Sequence, residues 1–355
     1  MRRIPQYFLC AVMAFLLASL PVQGTAAEKS CGTVNVGTWG TWLAPEALLR
    51  LGVKEKLFGC LNVQLVDFVG ISNFVAALDA NQIQLASAAL AAAKPNKTIV
   101  GVFSNQTHYG IMGRPGLRGA MGGKIIATHI CSNKRVKDGN VPSLEVARAF
   151  EALVEAGKVP GVSRVYCGTK EQFLEQYPNG NPETVVFEIH TGAGSRDRFA
   201  AALEGTADLA IAADPHYLKA KKVGLEVYWV STDLPKVPLY SFVANNDWLA
   251  DHSNQKIVRE FMAGVIRSYK FAKKHPQETK ALLEKNIGIA DPKDLERLYQ
   301  DLLDAWSVQG KVDDGAMERL SLFLYPPYQR GEDGKAPKIP YNFSLVSDPA
   351  DVSLR

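Results

Sequence analysis

Trp39 and Trp42 flank Gly40-Thr41 in a short polar-aromatic loop. An apolar alternation, Val34 and Val36, precedes the loop, and Pro45, a residue type well tolerated in a first helical turn, follows it. Two indoles this close in a loop are costly to leave in water. With the Thr41 hydroxyl they could form a wall and a polar handle for a planar or apolar solute. They could equally cap the sheet edge. In an open α/β sheet, loops leaving the carboxyl ends of strands border the ligand crevice, and a helix N-terminus behind such a loop offers free N–H groups. A second candidate is Asp214-Pro215-His216-Tyr217, at the end of the apolar run Leu209 to Ala213. Asp214 could accept a hydrogen bond from an amine or hydroxyl, His216 could donate to an anion, and Tyr217 could supply an aromatic face. Asp214 could also simply cap the next helix.

Organised catalytic chemistry is missing from the sequence. There is no G-x-S-x-G elbow, no phosphate-binding P-loop and no H-E-x-x-H pair. The cluster Gly192-Ala193-Gly194 has Asp197 where a dinucleotide fingerprint needs its third glycine. It could still seat an anion before a helix starting at Ser195. Arg196 and Arg198 read as solvated helix charges, with Arg196 the better anion partner. His129 and Cys131 are a weak metal pair. No enzyme activity, cofactor or metal is expected.

The elements that must position these residues are constrained by export. Arg2 and Arg3 precede an apolar run, Phe8 to Leu20, and small residues at Thr25-Ala26-Ala27. This reads as a secretory signal, residues 1–27, cleaved near Ala27. The run is shorter than the roughly 20 residues a membrane helix needs. The formal charge of +4 owes half its value to those two leader arginines, which argues against nucleic acid as a partner. Beyond the leader lie Cys31, Cys60, Cys131 and Cys167, an even count in an exported chain. Cys31 and Cys60 each precede a strand, at one end of a neighbouring pair. Cys131 and Cys167 each follow one. The expected disulfides are Cys31–Cys60 and Cys131–Cys167.

Strand and helix patterns alternate through the first hundred residues, which predicts a mainly parallel sheet. An alanine-rich helix is expected after Ser87. Strands are expected at Thr98–Phe103 and His108–Met112. The turn-rich stretch from Arg114 to Gly123 reads as a domain crossing. A second β/α run follows, and Pro235 and Pro238 mark the return. The expected organisation is 28–113 with 239–325 as lobe 1, 114–238 as lobe 2, and 326–355 as a polar, proline-punctuated tail draped on the surface. A chain that leaves a domain once and returns once favours hinge closure.

Several stretches carry a resemblance to a known family. KEKLFGCLNVQLVDFVGISNFVAALDANQIQLASAAL includes Ala77-Leu78-Asp79-Ala80-Asn81-Gln82-Ile83, and ALEGTADLAIAADPHY includes Gly205, Asp208 and Asp214-Pro215. These resemble the periplasmic substrate-binding proteins of ABC importers, in the nitrate/sulfonate/taurine and thiamine-precursor subgroup. The likeness covers most of residues 31–325. It implies a type II periplasmic-binding-protein fold, two α/β lobes that close on a small-molecule solute in the periplasm. The resemblance further implies a monomer that hands its solute to ABC permease membrane subunits. By position it places ligand contacts at Trp39, Thr41, Trp42, Ser72, Asn73, Ser87, Thr128, His129, Asp214 and Tyr217. The sequence departs from the pattern at Ala213, often aromatic in the family, and in the enlarged basic loop Ser132–Asn140. A sensory protein presenting closed lobes to a receptor, and an enzyme akin to the pyrimidine-synthesising relatives, stay open here. The cysteine-rich metal motif of those relatives has no counterpart.

Overall fold

The computed structural model describes residues 31–39, 44–68, 71–105, 109–128, 159, 161–191, 195–213, 215–230, 237–324 and 335–354. The leader, the Ser132–Asn140 loop and Cys131 lie outside them. The strands are β1 (Gly32–Trp39), β2 (Leu61–Phe68), β3 (Leu85–Ala86), β4 (Lys97–Ser104), β5 (Tyr109–Gly113), β6 (Ile125–Thr128), β7 (Arg164–Cys167), β8 (Val185–His190), β9 (Leu209–Ala213), β10 (Glu226–Val230) and β11 (Tyr240–Asn245). The α-helices among the described residues are α1 (Ala47–Lys54), α2 (Ile71–Asp79), α3 (Lys170–Gln176), α4 (Ser195–Glu204), α5 (His216–Lys219), α6 (Asn246–Leu249), α7 (His252–Lys274), α8 (Pro276–Ile287), α9 (Pro292–Ala305) and α10 (Asp314–Leu324).

Two mixed sheets result, in the orders β2-β1-β3-β11-β4 and β10-β5-β9-β6-β8-β7. In the first, β1 runs parallel to β2 and β3, and β11 is the antiparallel strand that joins β3 to β4. In the second, β9, β6, β8 and β7 are parallel, while β5 and β10 close the edge in antiparallel fashion. Strand β1 is central and buried on both faces, which is why Val34, Val36 and Gly37 read as a short apolar run. The first core gathers Phe74, Phe103, Phe242, Phe261 and the apolar faces of α7 and α9.

The family-like stretches have plain local causes. Asn81 takes a left-handed conformation, φ 53°, that turns α2 back toward β3. Gln84 then caps the β1 edge, its Oε1 accepting from the Asn35 amide at 2.9 Å. Gly205 ends α4 at φ 80°, and Asp208 Oδ2 accepts from the Ile125 amide at 2.9 Å, fixing the start of β6.

Cys31 and Cys60 form the expected disulfide, joining β1 to β2 at their amino ends. Cys167 is also disulfide-bonded; its expected partner, Cys131, is outside the described residues.

Three expectations need correction. Tyr109–Gly113, assigned to the first lobe, pairs with β9 and β10 in the second sheet, so the chain changes sheets before Tyr109 rather than at Arg114. The segment after Ser87 is a 3-10 turn, Ala89–Ala93, not an α-helix; Pro95 leaves no room for a second turn. Residues 335–354 of the tail are packed rather than draped. Asn342 N donates to Ile99 O at 2.8 Å, and Ile99 N to Pro340 O at 3.0 Å, so the tail extends the first sheet beyond β4. Ile339, Leu345, Val346 and Val352 are buried.

Candidate functional site

Trp39 is the last residue of β1, half-buried, with its ring 4.8 Å from that of Phe74 on α2. Phe68, at the end of β2, stands 5.2 Å behind Phe74. This backing is possible because residue 37 is glycine. A Cβ there would come within 2.7 Å of Ile83 and 3.1 Å of Phe74. The neighbouring Thr38 is fully buried, and its hydroxyl donates to Asp67 Oδ1 at 2.7 Å. Arg50 of α1 holds that same oxygen at 2.6 Å.

Ser87, just past β3, is fully buried. Its amide donates to Gly37 O at 3.0 Å and its hydroxyl to Glu46 Oε1 at 2.5 Å. Glu46 was not singled out in the sequence. It is completely buried and accepts the Trp39 amide on both carboxyl oxygens, at 3.0 and 3.1 Å. One carboxyl group therefore fastens the end of β1 to the loop after β3. Burial pushes its pKa up to about 8, against the lowering by Ser87, the Trp39 amide and Arg50; Asp67 adds to the rise. Trp306 holds the turn from outside, its indole donating to Pro45 O at 2.9 Å.

Ser72 and Asn73 lie in the first turn of α2 and are exposed. On the second sheet, Thr128 ends β6, fully buried, with its hydroxyl 3.4 Å from Ile189 O. Thr191 N donates to Thr128 O at 3.2 Å, bringing the end of β8 beside it. Tyr217 on α5 is buried and packs against Gly110, where a Cβ would meet its own Cβ at 2.7 Å. Thr41, Trp42, His129 and Asp214 lie outside the described residues. The site residues that are described thus form two groups, one at the strand ends of each sheet. The sheets meet near the second group: Ala213, at the end of β9, belongs to the core of the first.

Arg198 is also displaced from expectation. It is buried, not solvated, and donates to the Ser195 hydroxyl at 2.7 Å, which accepts in turn from the Ala213 amide at 3.0 Å. Arg196, one residue over from the helix start, is exposed as expected. Among the described residues no group of His, Cys, Asp and Glu side chains could hold a metal ion. Volume does not locate the site. Cavities of about 590 and 550 Å³ lie where the tail crosses α6 and between α1, β2 and α8. Neither is lined by Trp39, Ser87, Thr128 or Tyr217.

Known structures share this fold. The ligand-binding component of an ABC-type import system from Staphylococcus aureus superposes with a TM-score of 0.57 at 14% identity, covering 91% of this chain and 100% of that one. The alkanesulfonate-binding protein SsuA from Xanthomonas axonopodis pv. citri, bound to MOPS, gives 0.57 at 16% identity over 83% of this chain and 91% of that one. The chain has the periplasmic-binding-protein fold. The periplasmic aliphatic sulphonate binding protein SsuA from Escherichia coli is similar at a TM-score of 0.55 and 17% identity, over 82% of this chain and 85% of that one. No protein-family model matches this chain, and no curated protein matches it in sequence.

Proposed function

We propose that the chain is an exported, monomeric solute-binding protein that captures one small organic or anionic solute between two closing lobes and delivers it to an ABC permease. The lobes are the two sheets with their helices, and the hinge lies where the chain changes sheets, between Ser104 and Tyr109 and again between Val230 and Tyr240. The observation that carries the reading is the clustering of Trp39, backed by Phe74, with Ser87 at the carboxyl ends of β1 and β3. An aromatic wall held in place at such a position suits a solute with an apolar part. The loops with Thr41, Trp42, Thr128, His129, Asp214 and Tyr217 would complete it. Two of the similar structures are named for sulfonates, so sulfonates head the candidates.

Thermal unfolding of the mature protein with taurine, alkanesulfonates, nitrate, pyrimidines and aromatic acids tests this. At least one solute is expected to raise Tm, and Trp39→Ala to weaken that solute by more than about 1 kcal/mol. No rise with any member of the panel would overturn the reading.

A further inference from the structure

Glu46 has no obvious structural reason to be an acid. It lies in the 3-10 turn Ala44–Glu46 and is fully buried. Among the described residues no cation lies within ion-pair distance of it; Arg50, the nearest basic group named, is spent on Asp67 at 2.6 Å. A buried carboxyl without a counterion is destabilising unless hydrogen bonds compensate. Among the described residues its side-chain bonds go to two places: the amide of Trp39 and the hydroxyl of Ser87. Both belong to the strand ends that the proposed function assigns to the solute. An apolar residue at this point would leave the Trp39 N–H unsatisfied and cut the β1 end loose from the β3 loop.

We propose that Glu46 is the positioning residue of the solute site, a buried clamp that sets the Trp39 wall and the Ser87 loop relative to one another. The placement of the wall in the cleft rests on the proposed function; the clamp itself does not. The neutral acid can hold both partners, one oxygen accepting from the Trp39 amide while the other group exchanges a hydrogen bond with the Ser87 hydroxyl. Ionisation puts a negative charge in that buried turn that the Ser87 hydroxyl, the Trp39 amide and Arg50 offset only in part, and so favours its opening. The charged groups facing it are Arg50 from α1 and Asp67 from β2. From α9 the contact is the neutral Trp306 indole. Burial holds the acid un-ionised up to about pH 8.

Amide hydrogen exchange on the solute-free protein tests the clamp without knowing the solute. Trp39 amide protection is expected to fall at least tenfold in Glu46→Ala, while Ile211 in the second sheet stays unchanged. In Glu46→Gln the side-chain amide can replace both bonds, so protection stays within about threefold. In the unmodified protein, after correction for intrinsic exchange, Trp39 protection is expected to fall by up to about tenfold per pH unit between pH 6 and 8. Glu46→Gln should flatten that slope. Should Glu46→Ala fail to fold, Glu46→Gln alone decides: a slope that persists in it overturns the proposal, as does unchanged Trp39 protection in a folded Glu46→Ala. A solute panel without a hit would count against the proposed function and leave this exchange result standing.

Discussion

Placing an acid where Glu46 sits has a consequence for stability as well as for the site. Its carboxyl titrates near 4.5 when the chain is unfolded and near 8 when folded. Between those values the folded state holds a proton that the unfolded state has lost. Stability from this group is therefore fully present below about pH 4.5, declines as pH rises, and levels off above about 8. The slope approaches 1.4 kcal/mol per pH unit. Urea unfolding at pH 5, 6.5, 8 and 9.5 is expected to show this decline, and Glu46→Gln to remove it. A profile that rises through pH 5 to 8 would contradict it. Nothing in the residue pattern around Glu46 marks it as buried. An acid in a first helical turn ordinarily complements the helix dipole, so type and position pointed to a solvated charge. Arg198 misled for a related reason: it bonds Ser195 on its own helix, but what buries the pair is the β9 end, whose Ala213 amide donates to the same hydroxyl, and helix periodicity carries no trace of that packing. Tryptophans announce themselves differently: Trp39 drew attention by size alone, and its ring indeed stands at a strand end.

At the scale of elements, periodic stretches were legible and packed irregular ones were not. The alternation that predicted β1 comes from the burial of Val34 and Val36 on one regular face, and the apolar run that predicted β9 from burial on both. Strand β5 was recognised as a strand but placed in the wrong sheet, because apolar residues fit either core and only pairing with β9 decides. The tail is the clearest miss. Its prolines and charges resemble a solvated segment, yet Ile339, Leu345, Val346 and Val352 reach the first core, and Lys270 Nζ donates to Pro349 O at 2.6 Å and Val352 O at 2.5 Å. Aperiodic anchors leave no signal for pattern reading. The tail also covers the open edge of β4, which would otherwise be a template for another chain. Truncation before Lys335 would remove these four buried side chains and bare the core surface they cover, at roughly 1–2 kcal/mol each. It is expected to lower Tm by 10 °C or more and to promote association measurable by light scattering. A truncated protein as stable and monodisperse as the full chain would show that the tail contributes nothing.

The whole molecule is more than two sheets in series, because α5 and the turn after it reach across to the helices of the first core. Leu218 packs against both cores. Lys219 Nζ donates to Ile287 O, the last carbonyl of α8, at 3.1 Å. Lys222 Nζ lies 2.8 Å from Asp294 and 3.5 Å from Asp291, the N-cap of α9. Asp294 pulls the Lys222 amine above its ordinary value, and the Lys293 and Asp294 amides, with Lys222, pull the Asp291 carboxyl below its own. Under the proposed function, hinge opening would stretch or slide these contacts, which start one residue beyond Tyr217. The Lys222 ion pairs are partly exposed, so salt screens them, and they can bias an equilibrium without locking it. Small-angle scattering on the solute-free protein is expected to give a larger radius of gyration in Lys222→Glu than in the parent at low salt. Raising the salt should move the parent toward the variant. The double change Lys222→Glu with Asp294→Lys restores attraction and should restore the parent value. Equal radii in parent and Lys222→Glu at low salt would place this contact on a rigid joint, and the hinge would then have to turn about the α5 side rather than open there.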